Sequence, residues 1–215
     1  MSGKSENALP KALAMGQAVA QGQQDPQALA AAALDAAQAE DVAFITVLKE
    51  RAKAEAHAAA LRQKAGCLVS PLDGVPFAWK DLVDIKGTIT TAASRALVKH
   101  RLPAAQDAPL VNRLAKAGIV SIGKTNLSEL AFSGLGLNPG YGTPVNPADT
   151  VTPRAPGGSS AGSAVAVAKG IVPAAMGSDT AGSLRVPAAF NGLVSYRPIC
   201  ARHDGLGVTP LSKSF

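Results

Sequence analysis

Beyond Gly66, short apolar runs punctuated by glycine and proline alternate with helical segments for the rest of the chain, an order that few folds accommodate. Val75-Pro76-Phe77-Ala78-Trp79 reads as a strand, a helix is expected over about 107–117, and 118–123 reads as a buried strand. The pattern then repeats, with a small-residue helix over 161–169 closed by Gly170 and another strand over 171–176. The alternation predicts an α/β fold with a largely parallel or mixed β-sheet flanked by helices. Between the two halves of the pattern, 134–158 is rich in glycine and proline, has little periodicity, and reads as one long loop of the kind that often carries function.

Residues 1–66 have a different texture and read as an N-terminal helical region, with 67–215 as the core that follows. Over 25–39 there are eight alanines, the best helix formers, preceded by Asp25 as N-cap and Pro26 at the first helical position. A second helix is expected over 48–65, with Arg51 and Glu55 one turn apart and Gly66 at its C-terminal end. The apolar, β-branched run 42–47 between them fits either a buried strand or the entry to the second helix. Helices 5–66 would cap one side of the core.

Composition narrows the function classes. With 47% hydrophobic and 17% charged residues in 215, the chain has material for one sizeable core and lacks the signature of disorder. Aromatics make up only 4%, which leaves few side chains to stack on bases. The net charge of +6 lies wholly beyond residue 66, where basic residues are scattered without a run, a distribution that argues against nucleic-acid binding. Two cysteines without CxxC spacing, Cys67 and Cys200, suit a reducing compartment, and no apolar run approaches the ~18 residues of a membrane span. A cytoplasmic protein is expected. The chain ends on Leu211-Ser212-Lys213-Ser214-Phe215, which has no cap or stop signal and reads as an interrupted domain.

Two Gly/Ser-rich turns stand out as places for chemistry. Gly157-Gly158-Ser159-Ser160-Ala161-Gly162-Ser163 opens a helix, where successive backbone N–H groups form a concavity for negative charge. It lacks both the Gly-Lys-Ser/Thr ending of a phosphate loop and a GxGxxG pattern, which argues against a nucleotide. Gly177-Ser178-Asp179-Thr180-Ala181-Gly182-Ser183-Leu184-Arg185-Val186-Pro187 follows a strand and offers a serine among backbone donors able to converge on an oxyanion. For a base, His57, His100 and His203 have no constrained setting. Lys80, at the end of the apolar strand in Asp73-Gly74-Val75-Pro76-Phe77-Ala78-Trp79-Lys80-Asp81, is the better candidate, because burial disfavours its ammonium form.

Taken together, these segments resemble the amidase signature family of serine hydrolases. The resemblance rests on Asp73-Gly74-Val75-Pro76 with Lys80-Asp81, Gly123-Lys124-Thr125-Asn126, Gly157-Gly158-Ser159-Ser160, and Asp179-Thr180-Ala181-Gly182-Ser183 with Arg185 and Pro187-Ala188-Ala189-Phe190. It covers about residues 66–213, with the family's own spacing between Ser159 and Ser183, and corresponds to roughly the first half of the family's catalytic domain. It implies a Ser-cisSer-Lys triad: Ser183 as nucleophile, Ser159 as bridging serine after a cis Gly158–Ser159 peptide, and Lys80 as general base. Backbone N–H groups of Thr180, Ala181, Gly182 and Ser183 would form the oxyanion hole, with Asp179 and Arg185 fixing the loop. The implied reaction is hydrolysis of a small-molecule carboxylic amide through an acyl-enzyme, releasing ammonia or an amine, with no metal or cofactor.

The chain departs from the family pattern at Ala161 and Ala181, where Gly is frequent, and at Asn191-Gly192, where Cys-Gly is frequent. Two other readings stand beside the amidase. One is the homologous component of a tRNA-dependent amidotransferase, which amidates misacylated tRNA in a complex and usually has Gln where this chain has Val186. The other is a catalytically silent remnant of an amidase. A homodimer stays open as the assembly.

Overall fold

The computed structural model describes residues 12–40, 42–199, 202 and 205–212. The helical reading of 5–11, Cys200, His203 and the chain end at 213–215 lie outside them.

The helices expected over about 25–39 and 48–65 are present. Helix α1 (Ala12–Ala20) is followed by α2 (Pro26–Ala39), where the Asp25 side chain accepts from the Gln27 amide at 3.0 Å and caps the helix. The ambiguous run resolves as strand β1 (Phe44–Val47), and α3 (Lys49–Lys64) follows, ending before Gly66 at φ 64°. A strand wins because this short segment lies against a buried neighbour. The Leu48 amide donates to the Ile122 carbonyl at 2.8 Å, and a Cβ at Gly123 would come within 2.8 Å of the Phe44 ring.

Four strands form one mixed sheet in the order β1-β3-β2-β4, from β2 (Pro76–Lys80), β3 (Val120–Thr125) and β4 (Ala175–Met176). β1 runs antiparallel to β3, and β2 runs parallel to both β3 and β4. The fold class read from the sequence therefore holds. Helix α4 (Arg95–Val98) is a single turn that the pattern did not announce, and α5 (Pro109–Lys116) sits where a helix was expected. Helices α6 (Ala161–Ala168) and α7 (Arg185–Phe190) follow the two Gly/Ser-rich turns, and 134–158 has neither helix nor strand.

One element needs correction: the strand expected over 171–176 shrinks to its last two residues. The amides of Ile171 and Val172 turn back to the Ala166 carbonyl, at 2.9 and 3.4 Å, so they close α6 instead of entering a ladder. Pro173, without an N–H, then delays pairing further.

Side chains alternate between the two faces of β2. Ala78 packs with Val120, Ile122 and Val165 under the alanine faces of α2 and α3, while Trp79 packs with Ile119, Val111 and Ile85 on the other side. Lys80 shares the parity of Ala78, which directs it to the face carrying α6. That helix approaches closely because its first turn is small: a Cβ at Gly162 would lie 2.3 Å from the Ala43 carbonyl oxygen and 2.6 Å from the Asn126 amide. Gly162→Ala is therefore expected to destabilise the fold by about 1–3 kcal/mol, read as a lowered chemical-denaturation midpoint. An unchanged midpoint would contradict this packing.

Candidate active site

Lys80, the last residue of β2, is fully buried. Its Nζ donates to Ser159 Oγ at 2.6 Å and to Ser178 Oγ at 2.9 Å. Burial strips water from the ammonium and lowers its pKa from the ordinary lysine value to about 7, although the charge of Asp179 pulls it upward. A lysine in this state has an appreciable neutral fraction near neutral pH and can accept a proton.

The first Gly/Ser turn brings Ser159 to Lys80. The Gly158–Ser159 peptide is cis, and the turn is clamped on both sides. The Gly158 amide donates to the Gly134 carbonyl at 2.7 Å, and the Ser128 amide donates to the Ser159 carbonyl at 3.1 Å. Only glycine fits at 158, because a Cβ there would lie 2.5 Å from the Gly136 nitrogen and 2.6 Å from Ser128 Oγ.

Ser160 joins this turn to the second one. Its hydroxyl accepts from the Ser178 amide at 3.2 Å, and its own amide donates to the Ser183 carbonyl at 3.0 Å. Ser183, half-buried just before α7, is thus fixed next to Ser159 through the backbone. Among the described residues, no hydrogen bond joins the Ser183 and Ser159 hydroxyls.

Asp179 organises the second turn. Its carboxylate, almost wholly buried, accepts from the amides of Gly182 at 2.9 Å and of Leu184 and Arg185 at 3.2 Å. The Arg185 guanidinium also grips it with Nε at 2.9 Å and Nη2 at 3.0 Å. That pair, with the backbone donors, holds the carboxyl far below the usual carboxylate range, so it stays ionised. Gly182, at φ 128°, takes a conformation suited to glycine, whereas Ala181 is outside the set of positive-φ residues and its methyl is tolerated. The Gly182 amide is committed to Asp179; among the described residues, those of Thr180, Ala181 and Ser183 have no acceptor within the protein.

Two parts of this arrangement escaped the sequence. Ser178 is a second partner of Lys80, yet in the motif it is one small residue among several. Ser160 and Asn191 act as fasteners: Asn191 Nδ2 donates to the Pro156 carbonyl at 2.7 Å and the Pro187 carbonyl at 2.8 Å, tying the long loop to α7 where the family often has cysteine. Of the histidines, His57 lies on α3 with its Nδ1 3.4 Å from Gln27 Oε1, far along the chain from these turns, and His100 is exposed.

Comparison with known proteins identifies the family. The Amidase family model matches residues 28–215. The chain is 44% identical over 172 residues to a glutamyl-tRNA(Gln) amidotransferase subunit from Cupriavidus metallidurans, covering 80% of this chain and 34% of that protein. Among solved structures it is similar to the native peptide amidase of Stenotrophomonas maltophilia, with TM-score 0.85 and 34% identity, covering 95% of this chain and 43% of that one. A chain from an inhibitor-bound vestigial complex, described as revealing the origins of an s-triazine catabolic enzyme, superposes with TM-score 0.88 at 38% identity, covering 95% of this chain and 45% of that one. The chain spans about a third of the curated relatives' length and under half of these solved chains. Lys80, Ser159 and Ser183 all fall within the matched span, and the chain belongs to the amidase family.

Proposed function

We propose that this chain carries the reacting residues of an amide hydrolase, with Ser183 as nucleophile, Ser159 as bridging serine and Lys80 as general base. The observation that carries the reading is the 2.6 Å contact between the buried Lys80 amine and the Ser159 hydroxyl. Neutral Lys80 takes the Ser159 proton while Ser159 takes that of Ser183, and the Ser183 oxygen attacks the amide carbonyl carbon. The carbonyl π electrons move to oxygen, which is met by the turn's backbone donors. Thr180, Ala181 and Ser183 supply the uncommitted ones, and Gly182 lies between them with its amide on Asp179. The relay returns a proton to the nitrogen, the C–N bond breaks, and ammonia or an amine leaves. Water then attacks the acyl-enzyme by the same route in reverse order of proton transfers, regenerating Ser183 and releasing the carboxylate. Asp179 and Arg185 fix the turn, and Gly158 makes room for it. A small carboxylic amide is the substrate class, and the cytoplasm is the expected location.

The pH dependence tests this reading. Since the proposed base is active unprotonated, kcat/KM for release of ammonia from a primary amide is expected to rise with pH through about 7, the value to which burial lowers Lys80. A profile flat from pH 5 to 9 would contradict the role of Lys80.

A second reading has its own support in the 44% identity to a glutamyl-tRNA(Gln) amidotransferase subunit, with Val186 against it. The two readings separate by requirement. Hydrolysis by the protein alone favours the amidase, whereas ammonia release only in the presence of partner proteins and aminoacylated tRNA favours the amidotransferase.

A further inference from the structure

A second buried lysine, on the strand next to that of Lys80, has no part in the proton relay. Lys124 on β3 pairs in register with Trp79, and its Nζ is 2.6 Å from a carboxylate oxygen of Asp81, the residue after Lys80. Both side chains are fully buried. A buried ion pair is weak as a source of stability, because desolvation of the two charges offsets their attraction, so what the pair touches matters more.

It touches a strap. Lys124 Nζ also donates to Thr90 Oγ1 at 2.9 Å and to the Ile89 carbonyl at 3.3 Å. The Asp81 carboxylate accepts from both the amide, at 3.0 Å, and the hydroxyl of Thr91, and the Asp81 carbonyl accepts from the Ala92 amide at 3.0 Å. Ala92 and Ala93 sit at φ 50° and 52°, a region sterically disfavoured for alanine and kept only where surroundings enforce it.

The strap holds a second one. The Ala92 carbonyl accepts from the Leu130 amide at 2.9 Å, and Leu130 and Ala131 are the other two non-glycine residues at positive φ among the described residues. The Ala131 amide returns to the Ser128 carbonyl at 2.8 Å, and the Ser128 amide grips the Ser159 carbonyl at 3.1 Å. Hydrogen bonds joined by short stretches of backbone therefore lead from the ion pair to Ser159, while the Asp81 backbone is covalently joined to Lys80.

We propose that Asp81 and Lys124 are positioning residues: their buried pair holds the 89–93 and 128–131 straps so that Ser159 stays in contact with Lys80. The proposal rests on the reading of Lys80 and Ser159 as base and bridging serine. Displacement of such a contact by about 1 Å can cost on the order of 10^2-fold in rate.

The test compares Asp81→Asn and the milder, near-isosteric Thr91→Val in the full chain. Two readouts are taken: kcat and KM for amide hydrolysis, and the titration midpoint of the Lys80 ε-carbon by NMR with 13C-labelled lysine, assigned by its loss in Lys80→Met. Asp179 is the charged group acting on Lys80, and Asp84 and Arg101 act with Asp81 on Lys124; all but Asp81 are retained in both variants. The expected result is a fall in kcat of about 10–100-fold for Asp81→Asn, a smaller fall for Thr91→Val, KM within about twofold, and a raised Lys80 midpoint as looser packing admits water. Folded variants with the parent's kcat and Lys80 midpoint would overturn the proposal, as would a change confined to KM. If Asp81→Asn does not fold, Thr91→Val decides by the same criteria. If the parent hydrolyses no amide, that failure belongs to the reading of the site, and the Lys80 midpoint alone decides the positioning role.

Discussion

Ser183→Ala is expected to lower kcat for amide hydrolysis by roughly a millionfold, the scale seen when the nucleophile of a serine hydrolase is removed. No neighbour can replace it. Ser159 is committed to Lys80 at 2.6 Å, and Ser178, the next hydroxyl on the same amine, is 2.9 Å from it. The fold should tolerate the change, because what fixes this position is the backbone: the Ser183 carbonyl accepts from Ser160, and the turn is held by Asp179 through three amides. Stability measured by chemical denaturation should therefore move by under about 1 kcal/mol, and substrate binding by little. Activity in the variant within tenfold of the parent would show that another group attacks the carbonyl.

Lys80→Met is expected to lower kcat by about 10^3-fold or more while raising stability at neutral pH. The two effects have one cause. Burial lowers the folded-state pKa of Lys80 from 10.5 to about 7, so between these values the unfolded chain holds a proton that the folded chain does not. By linkage, this group makes the parent progressively less stable as pH falls from about 10.5 to about 7, with the deficit constant below that. Methionine carries no such deficit. The stability gain of the variant should be largest at pH 7 and below, and should shrink towards pH 10.5, less whatever is lost by leaving Ser159 and Ser178 without their amine partner. A variant less stable than the parent at every pH, with activity retained, would contradict both the desolvation of Lys80 and its role as base.

Much of this molecule was legible because its signals are local. The Asp25 cap, the Pro26 start, the Gly66 stop and the Arg51–Glu55 pair each act within one or two helical turns, and each falls where the sequence placed it. Lys80 was recognisable as a charge set at the end of an apolar strand. What the sequence could not show is decided at long range. Residues 171–174 are apolar enough for a strand, but the return of Ile171 and Val172 to Ala166 and the proline after them hold the chain out of the sheet. The 42–47 run became a strand because β3, from far later in the chain, lies beside it. Asp81 and Lys124, each present in a recognised motif, are separated by α4, α5 and their loops, and only folding brings them to 2.6 Å. The Gly182 amide likewise counts as an oxyanion donor by position, yet Asp179 holds it in this structure.

Ser183 is proposed here as a nucleophile activated through Ser159 and Lys80. The most direct measurement of that role is reaction of the protein with a fluorophosphonate, followed by intact mass and peptide mapping. A single adduct on Ser183 is expected, formed faster as pH rises through about 7 and abolished in Ser183→Ala. Folded protein that hydrolyses an amide while the adduct forms on Ser159 or Ser178, with Ser183 unmodified, would contradict that role.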